Sequence, residues 1–289
     1  MLEHLNAKPA APKRAVIMGS GSFVGGAIAA RLARDGVPVL RISRKEVDLL
    51  VPGADQKLLS LLQAGDAFVA VSARAPVKNP DMLVENMVMA GAMAKALAKA
   101  PVSHVVNVSS DAIYADGPVP LTEATPAAPT SLHGAMHLAR ELVLRGEVKA
   151  PLAMLRPTLI YGAKDPHNGY GPNRFRRLAG EGKEIVLFGE GEERRDHVFI
   201  DDVAELACRV LLRRSRGELN IATGRVSSFM EIAVLSRKLS GRQIEIRTTT
   251  RVGPMPHNGY RPFDAAAVGR AFPDFRFTPL ERGMELANA

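Results

Sequence analysis

An apolar run, Arg14-Ala-Val-Ile-Met18, ends directly in Gly19-Ser-Gly-Ser-Phe-Val-Gly25, and an Ala/Leu-rich amphipathic stretch over residues 27–35 follows. The run reads as a strand, the glycines as a tight turn and the amphipathic stretch as a helix. Glycines at such a turn permit positive φ and let the backbone approach a ligand closely. The helix N-terminus behind them offers free N–H groups and a positive dipole end. A purely structural strand–helix connection uses the same turn, so the rest of the chain must decide between the two readings.

Gly36 closes the first helix as a C-cap, and residues 37–42 form a second strand. A helical stretch at 56–64, a strand at 67–71, a Met/Ala-rich helix at 81–99, a strand at 102–108, a helix at 131–145 and a strand at 152–160 follow. Strands alternating with helices predict parallel β-α-β units, hence an α/β, Rossmann-type doubly wound parallel sheet. The second half is less regular. A Gly/Pro/Asn-rich stretch at 162–173 leads to a helix ending at Gly180, and strands at 185–188 and 219–222 and helices at 203–212 and 229–239 come next. A β-type run at 244–249 and a Phe/Pro-rich stretch at 272–280 close the chain. This pattern predicts a flexible tail over residues 1–13 and a sheet domain over 14–162. Residues 163–289 mainly form a smaller interleaved lobe, with segments near 200–222 returning to the sheet.

At 289 residues, 46% hydrophobic and 24% charged, the chain has the composition of a globular protein with a sizeable core. No apolar run is long enough to span a bilayer, and the N-terminus lacks the basic-then-apolar order of a signal peptide. A single cysteine, Cys208, excludes an intramolecular disulfide and fits a reducing cytoplasm. The net charge of +8 favours anionic ligands. The basic residues are scattered apart from small clusters at 174–177 and 213–216, and no aromatic-plus-basic motif points to nucleic acid.

Four further segments fall in a telling order: Val108-Ser-Ser-Asp-Ala-Ile-Tyr114, the helix carrying His133-Gly-Ala-Met-His137, Leu155-Arg-Pro-Thr-Leu-Ile-Tyr-Gly162 and Arg195-Asp-His-Val-Phe-Ile-Asp-Asp-Val203. With the glycine turn they resemble the extended short-chain dehydrogenase/reductase family, the group of NAD-dependent nucleotide-sugar epimerases, dehydratases and ketoreductases. The resemblance covers about residues 14–283. It implies a cofactor site made of Gly19, Gly21, Ser22, Phe23, Val24 and Gly25, where Ser22 stands at the middle glycine of the family's Gly-x-x-Gly-x-x-Gly. It adds Ser43, Arg44 and Asp48 after the second strand, Ser72 and Ala73 after the third, Asn86 on the long helix, His137, and Pro157 and Leu159 beneath the nicotinamide. The second strand ends in Arg41-Ile-Ser-Arg-Lys45, without the carboxylate that accepts bonds from an NAD ribose, so NADP(H) is favoured with NAD(H) as the alternative.

The same resemblance implies that the Ser110 hydroxyl holds the substrate and that Asp111, Asn173, Arg195 and Arg261 contact it, the two arginines on a diphosphate. It places a catalytic Tyr-x-x-x-Lys where this chain has His133 and His137. Three readings are open. Imidazole titrates near neutrality unaided, so His133 can serve as acid/base with His137 on the cofactor ribose. Alternatively, the centre is inactive and the chain is a dinucleotide-binding sensor, partner or RNA-binding protein. Thirdly, two histidines one helical turn apart can bind zinc, although Gly134 stands where a general-base Glu would be. Asp201 and Asp202 read as helix caps, and His197 and Cys208 as core residues. Relatives often dimerise through helices that include the one bearing the dyad, so a homodimer is the family expectation.

Overall fold

The computed structural model describes residues 2–288. Strand β1 (Glu3–His4) is followed by β2 (Ala15–Met18), α1 (Phe23–Arg34), β3 (Val39–Ile42), α2 (Ala54–Leu61), β4 (Ala67–Ala70), α3 (Pro80–Lys99) and β5 (His104–Val108). Next come α4 (Leu132–Glu147), β6 (Leu152–Pro157), β7 (Leu159–Tyr161), α5 (Pro172–Gly180), β8 (Ile185–Phe188), β9 (Arg194–Phe199), α6 (Ile200–Leu212) and β10 (Ser215–Ile221). The chain closes with β11 (Val226–Ser228), α7 (Phe229–Ser240), β12 (Ile246–Thr249), β13 (Tyr260–Arg261), α8 (Ala266–Ala271) and α9 (Leu280–Asn288).

Seven strands form the main sheet in the order β1-β10-β6-β5-β4-β2-β3, parallel throughout except for β1. The architecture is the expected α/β doubly wound one. Strand β2 is buried on both faces, which is why it reads as an unbroken apolar run. Its residues still alternate: Ala15 and Ile17 join the core under α1 and α6, whereas Val16 and Met18 join the core under α2, α3 and α4. The first helix begins at Phe23, four residues before its amphipathic pattern becomes visible, because the Ser22 side chain caps it.

The strand expected over 152–160 is broken at Thr158. Its N–H still donates to Ile221 O, but β7 then leaves the sheet and pairs with β9. Strands β7, β9, β11 and β13 form a second sheet, and β8 pairs with β12. Phe175, Leu187, Phe229, Ile232 and Met284 pack the core of this lobe.

The N-terminal stretch corrects the expectation of a loose tail. Strand β1 pairs antiparallel with β10, Glu3 opposite Arg216 and His4 opposite Ser215. The His4 ring bonds Ser215 Oγ (2.7 Å) and Ala271 O (2.9 Å), and its Nδ1 and Nε2 are thereby both used. Asn6 and Ala10 donate their N–H groups to Arg213 O and Leu212 O. An Ala/Pro-rich composition hides this because the ordering comes from partners two hundred residues away. No helix among the described residues is long and apolar enough to cross a membrane.

Candidate active site

A cleft of ≈ 680 Å³ opens above the C-terminal ends of β2, β4, β5 and β6, the edge of a doubly wound sheet at which ligands bind. Its floor on one side is the glycine turn. Gly19 has φ +98°, and a Cβ on Gly25 would lie 2.2 Å from Gly19 O, so both positions demand glycine to fold the turn tightly. Ser22 Oγ donates to Gly19 O and accepts from Gly25 N, closing the first turn of α1 upon itself. The Phe23 and Val24 N–H groups, at the first two helix positions, have no intrahelical acceptor, and both residues line the cleft with Ser22. Two orphan donors and a helix dipole at the cleft wall fit a diphosphate.

The remaining expected cofactor residues divide. Ala73, His137, Pro157 and Leu159 line the cleft. Ser72 and Asn86 support the loop after β4: Ser72 O accepts from Arg140, and the Asn86 side chain accepts from Arg74 N and donates to Arg74 O and Met82 O. Four residues beyond the end of β3 a carboxylate turns toward the strand. Glu46 folds back so that Oε2 accepts from Ser43 N (2.7 Å) and Ser43 Oγ (2.6 Å), and the Ser43 contacts hold its carboxyl below the usual range. Arg44 is turned to Asp48 at 2.9 Å, whose other oxygen accepts from Leu50 N. The sequence signal for Glu46 was its place three residues after a serine, the spacing of a capping box.

Helix α4 carries both histidines. Ser131 caps it by accepting from Gly134 N. A Cβ on Gly134 would meet Ala112 O at 2.1 Å, so only glycine lets this helix touch the Ser110–Ala112 turn. That contact brings His133 and His137 to the same cleft wall as Ser110 and Asp111. Ser110 Oγ donates to Asp111 Oδ1 (3.3 Å) and accepts from Ala112 N (3.1 Å). The two imidazoles meet edge to face, with centroids 4.7 Å apart, and the Nδ1 atom of each is buried without a partner. Burial pushes the His133 imidazole below its ordinary value, opposed by the Asp111 charge and assisted by His167. His137 is pushed further down by burial, by His133 and by Arg140. Both rings are therefore neutral at pH 7, and position 137 carries no charge. Among the described residues no cluster of three or more His, Cys, Asp or Glu side chains is arranged to hold a metal, so the zinc reading lacks its third ligand.

A buried network holds α4 in place. Glu141 takes a bidentate pair from Arg156 (3.0 and 2.7 Å), Arg156 Nη1 donates to the Tyr114 hydroxyl (2.8 Å), and that hydroxyl donates to Asn220 (2.7 Å). It joins β6, α4, β10 and the turn after β5, and residue spacing alone did not reveal it.

On the substrate side, Arg195 lines the cleft with Nη1 3.1 Å from Glu193. Two other expected contact residues are also engaged within the protein. Asn173 lines the cleft, and its amide accepts from Gly162 N and donates to Ile160 O, both at 3.1 Å, which fixes the side chain at the wall with one N–H left over. Arg261 is 1% exposed. Its guanidinium donates to Asp116 (2.5 Å), Asp111 O (2.9 Å) and Tyr114 O (3.4 Å) and lies 3.5 Å from the Asp111 carboxylate, so it clamps the 111–116 loop, with Nε left without a hydrogen-bond partner. Asp116 also holds Nδ1 of His257, which sits at the cleft rim with φ +50°. The first-turn residue Asp202 does not cap α6 but binds Thr278 N and Oγ1, tethering the C-terminal segment. His197 is buried with Nε2 unpartnered, and burial pushes it down to about 3.

The geometry defines a dinucleotide-binding α/β protein with a second lobe closing one cleft. Residues 15–222 match the NAD dependent epimerase/dehydratase family, and the chain belongs to it. A nicotinamide dinucleotide is thus the class of cofactor the cleft is built around. The chain is 33% identical over 144 residues to dTDP-L-rhamnose 4-epimerase of Burkholderia thailandensis, a match over 47% of this chain and 40% of that protein. It is 27% identical over 250 residues to UDP-glucose 4-epimerase of Mycolicibacterium smegmatis, over 76% of this chain and 80% of that one. In fold it is similar to the UDP-glucose 4-epimerase of Thermotoga maritima, solved with UDP-glucose, at a TM-score of 0.84 and 20% identity, covering 95% of this chain and 97% of that one. A Thermus thermophilus UDP-glucose 4-epimerase solved with NAD gives the same TM-score, 0.84, identity, 20%, and coverage, 95% and 97%.

Proposed function

We propose that the protein is a nicotinamide-dinucleotide-dependent oxidoreductase of the epimerase, dehydratase or ketoreductase type, acting on a nucleotide-activated sugar or a similar polyol derivative. The observation that carries the reading is the single cleft in which the α1 N-terminus, Ser110, the paired imidazoles and Arg195 meet. The relatives named for dTDP- and UDP-sugars support the substrate class. Bound dinucleotide would supply or accept hydride. Ser110 Oγ would hold the reacting hydroxyl or carbonyl. His133, neutral at pH 7, would take the hydroxyl proton as a base needing no activating lysine, and would return it when a carbonyl is reduced. Arg195 would pair with the diphosphate, shared with Glu193.

For the cofactor, the Glu46 carboxylate on Ser43 and the engagement of Arg44 by Asp48 favour NAD(H) over NADP(H). An unesterified ribose suits that carboxylate, and a 2′-phosphate is repelled by it. The neutral ring at position 137 favours a second reading, a dinucleotide-binding protein without turnover.

One experiment separates the two. The protein is titrated with NADH and NADPH and then incubated with NAD+ and a panel of UDP- and dTDP-sugars. Tighter binding of NADH with conversion of at least one sugar supports the proposal. Binding without conversion across the panel supports the second reading, and binding of neither dinucleotide defeats both.

A further inference from the structure

Arg140 is 2% exposed and has no carboxylate partner among the described residues. Nη1 donates to Ser72 O at 2.7 Å, and Nε and Nη2 are buried with no acceptor. Desolvation alone pushes this guanidinium down to about 10, a value at which it is still charged at neutral pH. Its neighbours show the contrast: Arg156 of β6, similarly buried, is neutralised by Glu141 of α4, and Arg145 of α4 by Glu141 and Glu218. A buried, uncompensated cation costs several kcal/mol and is rarely kept without a role.

Its location supplies one. His133, His137 and Arg140 lie on one stripe of α4 at spacings of four and three, so Arg140 sits one turn deeper than the ring at 137. Ser72, the acceptor of its bond, packs against Gly19: a Cβ on Gly19 would lie 2.7 Å from Ser72 N. The guanidinium thus lies beneath the junction of the loop after β4 and the glycine turn, with Val71 and Ala73 of that loop lining the cleft.

We propose that Arg140 is a fixed cation beneath this cleft: from below the Ser72 loop it attracts the dinucleotide diphosphate. It is a positioning residue, acting through a low-dielectric layer and not by contact. The inference rests on the nicotinamide-dinucleotide reading above.

The test uses the full chain and NADH as the probe, with Arg140→Met and Arg140→Lys compared with wild type in binding titrations and in thermal melts without ligand. Arg140→Met, which removes an unpaired charge from the interior, should melt no lower than wild type yet bind NADH about tenfold more weakly or worse. Arg140→Lys, which keeps the charge, should bind within about threefold of wild type. Unchanged NADH binding by Arg140→Met, equal losses in both variants, or an Arg140→Met melting point well below wild type would each overturn the proposal. Wild type that binds no nicotinamide dinucleotide would overturn it together with the cofactor reading, whereas wild-type binding matched by Arg140→Met removes Arg140 alone.

Discussion

Gly134 is the residue on which the site depends most, because its missing Cβ lets α4 touch the Ser110–Ala112 turn. Gly134→Ala places a methyl 2.1 Å from Ala112 O. Backbone cannot rotate away as a side chain can, so the expected cost is about 1–3 kcal/mol with displacement of His133 from Ser110. Urea denaturation with a sugar-conversion assay checks this: a folded, destabilised protein with impaired turnover is expected, and a neutral substitution would show that the helix can shift freely. Little of this was visible beforehand. The Ser110, His133 and His137 positions were legible, since a short motif fixes them in order along the chain. Gly134 was legible only for lacking a carboxylate and Glu46 only through its capping-box spacing from Ser43, and Arg140 not at all, because its meaning lies in what its side chain reaches across space. Asn173 and Arg261 show the converse: a resemblance carries over residue type, but not that Asn173 also holds Gly162 N and Ile160 O or that Arg261 also holds Asp116 and the backbone of Asp111 and Tyr114.

The strand–turn–helix unit at β2 and α1 could be read directly, because burial alternation and glycine punctuation are local signals. Elements held by distant partners could not. Strand β1 is the plainest case: both His4 ring nitrogens are used on β10 and α8. His4→Ala is expected to lower stability by about 1–2 kcal/mol, read as a reduced denaturation midpoint with unchanged m, and to leave dinucleotide binding untouched. No change in the midpoint would return residues 1–13 to the status of a loose tail. The outer faces of α3 and α4 are a second element-scale feature. Val84 is 61% exposed, Val88 48% and Leu142 60%. This apolar face supports the family expectation of a homodimer through these helices. Light scattering should find a dimer, and the pair Val88→Glu and Leu142→Arg should give monomers that remain folded. A monomeric wild type would remove the dimer from the account.

For the whole molecule, the buried histidines set the response to acid. His104 Nε2 donates to Ser215 O, and burial pushes the ring down to about 4, while His137 and His197 are pushed below their ordinary values for the same reason. Between pH 6.5 and about 4 the unfolded chain binds protons at these rings that the folded chain refuses. Stability is therefore full above pH 6.5 and falls as pH drops through this window, by on the order of 3 kcal/mol for His104 alone. Asp196 and Asp202, held above the usual carboxylate range by burial, oppose this only at the acid end. Denaturation midpoints measured from pH 7 to pH 5 should fall in the wild type and fall less steeply in His104→Asn. A flat profile in the wild type would mean that these rings accept protons in place.

The claim that imidazole has taken over from phenol and lysine in a cleft that is otherwise intact is tested most directly by the pH dependence of single-turnover sugar conversion, measured in wild type and in His133→Ala. The account predicts a rate that falls on acidification with a midpoint below 6.5, the side to which burial pushes the His133 ring, and no measurable conversion in the variant. A variant that turns over at the wild-type rate, or a wild-type profile governed by a group titrating near a phenol's value of about 10, would contradict it.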